Sequence, residues 1–217
     1  MKFDYIIQTG QYKKTALSLS MVNHSAPLSI TETEANYLID FIKKHNLKSA
    51  YELCTGFGIS SVAIGLGLKE TGGTLITVDG YMEENSIDFL SYKSKLIPNP
   101  EADGFKSVKN LIKLFELENV VFPCVGISPQ IIPQTNPPEL DFVFIDSLHS
   151  PEFCLRDLQG IEPYINKSHY AVFLHDTGCV IDHKLTDYVK ETFNKEIYLI
   201  PELTPPDGYY MGVISNL

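Results

Sequence analysis

Two hydrophobic rhythms alternate along this chain from Thr31 onward. Stretches with apolar residues three and four apart give way to short runs that are apolar almost throughout. The first stretch, SITETEANYLIDFIKKHN, places Ala35, Leu38, Ile39 and Ile42 on one helical face. Thr31 with Glu34 forms a capping-box pattern at its start, and the helix is expected to end near His45-Asn46. SAYELC then predicts a strand, and ISSVAIGLGLKE a helix closed by Gly72-Gly73. TLITVDG, VVFPC, DFVFID and YAVFLHD predict four more strands. DFVFID is apolar nearly throughout, as a strand covered on both faces should be. Helices are predicted at DGFKSVKNLIKLFELEN, with Val108, Leu111, Ile112 and Phe115 on one face, at SPEFCLRDLQGIEPYI and at IDHKLTDYVKETFN. EIYLIPEL and GYYMGVISN read as an antiparallel pair around TPPDG.

Strands alternating with helices in this way imply an α/β class: a Rossmann-like, doubly wound sheet of seven strands, five parallel and a C-terminal antiparallel hairpin. Residues 1–47 are expected to form an N-terminal helical arm, and residues 48–217 a single globular unit. Tyr81 to Ala102 is the one long irregular stretch. It is either a lid beside the strand ends or an extra surface helix built on SIDFLSYKSKL.

Composition narrows the partners. The 217 residues are 44% hydrophobic and 20% charged, with a formal net charge of −10. The 17 Lys and Arg are scattered and form no basic stripe, so neither nucleic acid nor an anionic membrane is an expected partner. A cationic small molecule stays compatible with the acidic balance. Cys54, Cys124, Cys154 and Cys179 lie far apart without a CxxC pair, which suits reduced thiols. The start, MKFDYIIQTG, lacks a long apolar core, and no run approaches the ~18 apolar residues of a membrane span. A cytoplasmic protein is expected.

Candidate chemistry gathers at the strand ends, where open α/β sheets bind ligands. Glu52, Asp79, Asp146 and Asp176 each close a predicted strand, with His149 just beyond Asp146 and His175 before Asp176. After Glu52 comes a glycine turn: Gly56 and Gly58 allow close backbone approach, and the following helix aims its N-terminal N–H groups at the same place. Asp79 is positioned to accept hydrogen bonds from both hydroxyls of a ribose. Glu52, at the junction of strand and turn, would repel a pyrophosphate but suits a ligand carrying an amino group. S-adenosylmethionine has that group, a sulfonium and a ribose, and lacks phosphates. This favours it over a nicotinamide dinucleotide.

AYELCTGFGISSVAIG, VGISPQIIPQ, LDFVFIDSLHS and AVFLHDT occur in this order. Together they resemble the class I S-adenosylmethionine-dependent O-methyltransferases, particularly the catechol O-methyltransferase-like and bacterial small-molecule branches. The likeness spans roughly residues 30 to 217. It implies that Glu52 holds the methionine amino group, that Gly56 and Gly58 lie under the cofactor, and that Ser60 reaches its carboxylate. Asp79 would bind the ribose, and Gly126, Ile127 and Ser128 would line the adenine with Ser147 nearby. Asp146 and Asp176 would bind a divalent cation such as Mg²⁺. His149 would stand at the catalytic base, and Asp146 would be catalytic through the cation. The acceptor would be a small hydroxylated molecule. Family members often pair through their N-terminal helices, so a homodimer is an expected assembly.

This picture agrees with the chemistry of methyl transfer, in which an acceptor hydroxyl must lose its proton. A cation lowers that hydroxyl's pKa, and an imidazole accepts the proton. The chain departs from the family at Thr177, where an Asn is usual. The third metal ligand is therefore Thr177, a water or His175, although strand alternation should turn His175 away from Asp176. A metal-independent enzyme with His149 or His175 as base, a non-catalytic S-adenosylmethionine binder and a nicotinamide-type Rossmann oxidoreductase stay open. Tyr81, Met82, Tyr209, Tyr210 and Met211 could wall a planar acceptor or simply pack an edge strand. Cys54 occupies a turn position that commonly needs glycine. It is either strained at positive φ or in ordinary strand geometry with its thiol against the cofactor's methionine end or the core.

Overall fold

The computed structural model describes residues 30–80, 100, 103–146, 148–203 and 211–217. Its first element is α1, Glu32–His45, started by the expected capping box. Thr31 Oγ1 accepts from the Glu34 N–H, and Glu34 Oε2 accepts from the Thr31 N–H at 2.7 Å. Asn46, in the left-handed region, stops it. Ala35, Leu38 and Ile42 are fully buried, so the apolar face read from the sequence is the core face. Each such Leu or Ile contributes about 1.5–3 kcal/mol of burial free energy.

The remaining elements follow in β–α order: β1 Ser49–Leu53, α2 Ile59–Thr71, β2 Thr74–Asp79, α3 Asp103–Leu114 and β3 Val121–Val125. Then come β4 Phe142–Ile145, α4 Pro151–Ile161, β5 Ala171–Leu174, the short α5 Thr177–Val180 and α6 His183–Phe193. β6 Tyr198–Leu199 and β7 Gly212–Ser215 end the chain, and 3₁₀ turns lie at Ile132–Thr135, Glu162–Tyr164 and Pro201–Leu203. The seven strands form one sheet in the order β3-β2-β1-β4-β5-β7-β6. β1 to β5 pair in parallel, and β7 runs antiparallel to both β5 and β6. The architecture expected from the sequence is the one found.

Strand alternation divides the core between the two faces of the sheet. Phe142, Phe144, Ala171 and Phe173 join α1, α2 and α3 on one side. Val143, Ile145, Val172 and Leu174 join α4 and α6 on the other. Phe173 meets Phe41 of α1 edge-on at 5.0 Å between ring centroids, which ties α1 into the first layer. The predicted helix after Asp103 stops at Leu114, five residues short of Asn119, because Glu116 adopts a φ of 55°. The expected lid or helix at 81–102 lies outside the described residues apart from Pro100.

The strand order reverses between β1 and β4, and the crevice at such a reversal is where open α/β sheets seat ligands. The segments just after β1 and β4 carry Cys54-Thr55-Gly56 and Asp146. Backbone bonds from Asp146 N–H to Leu53 O (3.1 Å) and His175 N–H to Ile145 O (3.0 Å) extend the sheet to this edge.

Candidate functional site

Glu52 lies one residue before the end of β1, paired across the sheet with Thr77 and Phe144. It is completely buried. Oε2 accepts from the hydroxyls of Ser61 and Thr77, the latter at 2.5 Å, while Thr55 and Thr77 hydroxyls stand 2.6 Å apart beneath. Oε1 has no hydrogen-bond partner among the described residues. Burial pushes the carboxyl up to about 7, against the lowering effect of the Ser60, Ser61 and Thr77 hydroxyls. Ser60, expected to reach a cofactor carboxylate, is buried at the start of α2, next to Ser61, which bonds Glu52.

The loop after β1 resolves the question of Cys54. Its φ is 76°, a left-handed conformation that costs a non-glycine residue roughly 1–2 kcal/mol. Its backbone N–H and that of Thr55 both donate to Val78 O, and this bifurcated anchor holds the strained turn. The thiol points to Asp79, with Sγ 3.4 Å from Oδ2, and burial followed by the Asp79 charge drives it well above an ordinary thiol. Gly56 has φ 53°, and a Cβ added there would meet nothing within 4 Å, so the loop opens onto free space. Its N–H donates to Asp79 Oδ2 at 2.8 Å. Gly58, at φ 85°, caps α2 and lies against Val108. Asp79 is thus fixed beside the glycine loop, at the end of β2.

Gly126 continues the ladder by donating its N–H to Asp79 O, and a side chain there would run into Ile131. Ile127 and Ser128 follow on the same edge, both partly exposed. Ser147 lies outside the described residues, as do Tyr81, Met82, Tyr209 and Tyr210, whereas Met211 is fully buried in the core.

Four ionisable side chains converge beyond β4 and β5. Asp146 Oδ1 lies 3.1 Å from His175 Nδ1 and 3.5 Å from His149 Nε2. Asp176 Oδ1 lies 3.5 Å from His175 Nδ1, and its Oδ2 lies 3.1 Å from His149 Nε2. Burial would raise Asp146, but hydrogen bonds and charges from the two histidines outweigh it and hold the carboxyl below its usual value. The hydrogen bond to Asp146 raises His149 despite its partial burial. His175 is mostly buried, which would lower it, yet its bonds to Asp146, Asp176 and Glu34 hold it far above an ordinary imidazole. Asp146, His175 and Asp176 each offer one ligand atom, all within 4.8 Å of one another, a spacing that a single cation can bridge.

The expected divergence of His175 from Asp176 does not occur. β5 ends at Leu174, and Asp176 takes the left-handed conformation (φ 50°, ψ 44°) as N-cap of α5, so period-two alternation no longer applies. His175 keeps the alternating direction of Phe173, and the turn brings Asp176 back beside it. Thr177 is buried at the first position of α5, with its methyl towards Gly212 of β7. Glu34 on α1 is a site residue that the sequence reading missed. Its Oε1 stands 3.3 Å from His175 Nε2. The signal available for His175 was the register Phe142↔Ala171 and Phe144↔Phe173, which two residues further on pairs Asp146 with His175.

The fold has many solved counterparts. An O-methyltransferase from Bacillus cereus in complex with SAH aligns with a TM-score of 0.62 at 11% identity, covering 99% of this chain and 90% of that one. The SAH-bound methyltransferase PaMTH1 from Podospora anserina gives 0.63 at 12%, covering 96% and 87%. A putative caffeoyl-CoA O-methyltransferase from Staphylococcus aureus gives 0.58 at 14%, covering 97% and 98%. No curated protein matches the sequence. The family model described as a methyltransferase domain matches residues 52–177, from Glu52 through Asp79, Asp146 and Asp176 to Thr177. That match takes in more than half of the chain and all four strand-end acids, so this protein belongs to the methyltransferase-domain family and is an enzyme of the methyltransferase class.

Proposed function

We propose that this enzyme transfers a methyl group from S-adenosylmethionine to a hydroxyl of a small molecule, with a divalent cation assisting, in the cytoplasm. The observation that carries the reading is Glu52 Oε1, a buried acceptor without a hydrogen-bond partner among the described residues, four residues before Gly56, where the loop is open. A buried carboxylate oxygen of this kind fits the ammonium group of a bound amino acid. A dinucleotide would bring a pyrophosphate to the same place, where Glu52 repels it.

S-adenosylmethionine supplies an electrophilic methyl on sulfur, and a divalent cation lowers the pKa of an acceptor hydroxyl. Glu52 receives the amino group through Oε1, while Ser61 and Thr77 fix Oε2. Ser60 stands behind Glu52 at the N-terminus of α2. Asp79, pinned by the Gly56 N–H and the Cys54 thiol, binds ribose hydroxyls. Gly126, Ile127 and Ser128 border the adenine. Asp146 and Asp176 hold the cation, and their separation suits a single ion. His149 is half exposed, sits against both aspartates from the open side and takes the proton of the acceptor. What remains for the fold is alignment of donor and acceptor, which the rigid sheet edge provides.

The four free cysteines suit a reducing compartment, and among the described residues no helix is long and apolar enough to cross a membrane. The test is retention of radiolabelled S-adenosylmethionine compared with NAD, followed by turnover on a panel of hydroxylated aromatics. Retention of NAD in place of S-adenosylmethionine would sink the proposal.

A further inference from the structure

Asp146 and Asp176 supply oxygen, but the group standing with them is an imidazole. We propose that His175, through Nδ1, is the third ligand of the cation, that Glu34 orients it, and that the site therefore selects a first-row transition metal ion over Mg²⁺. This rests on the reading of the acidic edge as a cation site and specifies its ligands and its metal.

The spacing is compatible with coordination. Metal–ligand bonds of about 2.1 Å meeting at roughly 90–110° put neighbouring donors about 3.0–3.4 Å apart. His175 Nδ1 lies 3.1 Å from Asp146 Oδ1 and 3.5 Å from Asp176 Oδ1. An imidazolium paired to two carboxylates would show similar separations, so the stronger argument comes from the other ring nitrogen.

A metal-bound histidine usually donates its second N–H to a carboxylate or carbonyl, which fixes the tautomer and aims the free lone pair at the metal. His175 Nε2 faces Glu34 Oε1 at 3.3 Å, and Glu34 is itself held, since Oε2 accepts the Thr31 N–H at 2.7 Å. That carboxylate is nearly fully buried. One side chain thus caps α1 and faces the imidazole, so rotation away from His175 would break the cap. With Nε2 facing Glu34, it is Nδ1 that faces the two aspartates, and a cation bound there would take the place of the Nδ1 proton. The Phe144 ring lies beside the imidazole, 6.1 Å between centroids.

Donor chemistry then sets the metal. Mg²⁺ prefers oxygen ligands and retains its waters, whereas imidazole suits Mn²⁺, Fe²⁺, Co²⁺ and Zn²⁺ with rising affinity along the series. Two carboxylates and one imidazole form such a mixed site, bordered by the half-exposed His149. Of the other routes to a third ligand, a water or Thr177, the latter has its methyl turned towards β7.

The experiment uses the full chain, stripped with chelator and dialysed at pH 7.5. Calorimetric titration with Co²⁺, Zn²⁺ and Mg²⁺ should show the transition ions binding on the order of 100-fold tighter than Mg²⁺. Electron spin echo envelope modulation of bound Mn²⁺ should show coupling to ¹⁴N in the wild type and in His149→Gln, and none in His175→Gln. Glu34→Gln should weaken Co²⁺ binding about 10–100-fold without changing SAH affinity. Equal Mg²⁺ and Co²⁺ affinities, absence of ¹⁴N coupling in the wild type, coupling that survives in His175→Gln or no cation binding would each overturn the proposal. SAH titration into the wild type reports separately on the methyl-transfer reading. Loss of SAH binding with the nitrogen signal intact would sink that reading and leave the metal site standing.

Discussion

Cofactor affinity should depend on pH through Glu52. Its carboxyl is fully buried and sits at about 7, compared with 4.5 for the unperturbed group. Because the folded value is raised, folding favours the protonated form. Its stabilising contribution is complete below 4.5 and lost as pH rises through 7. The shift corresponds to about 3 kcal/mol of stability, all of it forfeited above pH 7. A ligand that brings an ammonium to Oε1 binds the ionised form, so binding and deprotonation are linked. At pH 6 about one carboxyl in ten is ionised, and the apparent Kd for SAH should be about tenfold weaker than on the plateau above pH 7. SAH is the right probe because it carries the amino group and cannot react.

Isothermal titration at pH 5.5 to 7.5, in buffers of different ionisation enthalpy, measures both affinity and the proton released. About 0.9 proton per SAH is expected at pH 6. Glu52→Gln should weaken binding on the order of 100-fold and abolish the slope. The same variant should remove the decline in apo stability between pH 5 and 8. Subtracting the variant's profile from the wild type isolates Glu52 from the two histidines nearby. A Kd that stays flat in the wild type, or a slope that persists in Glu52→Gln, would refute the assignment of Oε1 to the amino group.

The strain at Cys54 can be separated from the loss of its thiol. Both Cys54→Gly and Cys54→Ala remove the sulfur, but only glycine is relaxed at φ 76°, so urea denaturation should find the glycine variant about 1 kcal/mol more stable; the reverse order would deny the strain. His149→Ala should lower kcat by about 10²–10⁴ while leaving the SAH Kd within twofold, and near-normal turnover would remove His149 as the base. Gly65→Ala would place a Cβ 2.5 Å from Val121 Cγ2 and should cost about 1–3 kcal/mol by overpacking, read from the thermal midpoint.

The layout of the sheet was legible because each strand announced itself by local composition and each helix by its face. Glu52, Asp79 and Asp146 followed from it, since the end of a parallel strand is a place in the fold as well as in the sequence. Glu34 was hidden by its own capping role. Nothing in Thr31–Glu34 says that the second carboxylate oxygen looks across to β5, because that contact depends on how α1 lies over the sheet. Helix orientation is set by packing among residues such as Phe41, Phe142 and Phe173, which local periodicity does not encode. The boundary of β6 was misjudged for a related reason. EIYLIPEL reads as a continuous strand, but only Tyr198 and Leu199 pair, and Pro201 opens a 3₁₀ turn.

The backbone gives independent support for placing function at this edge. Six non-glycine residues among those described have positive φ. Asn46, Asn136 and Asn194 close helices or a 3₁₀ turn, and Glu116 follows α3, positions where a left-handed residue supplies a routine stop. Cys54 and Asp176 do something else. They lie just past β1 and β5, at the carboxyl ends of strands on either side of β4, and Asp176 begins a helix where an extended N-cap is usual. The Asp176 conformation turns its carboxylate to where alternation would not send it, next to His175, while the Cys54 thiol lies on Asp79, its neighbour in the continued register. A fold selected only for stability would replace Cys54 by glycine and let Asp176 extend. Strain kept at two strand ends is what a site needs when its backbone must bend sharply beside the ligand and, at Asp176, when the strand period alone would separate groups that must converge.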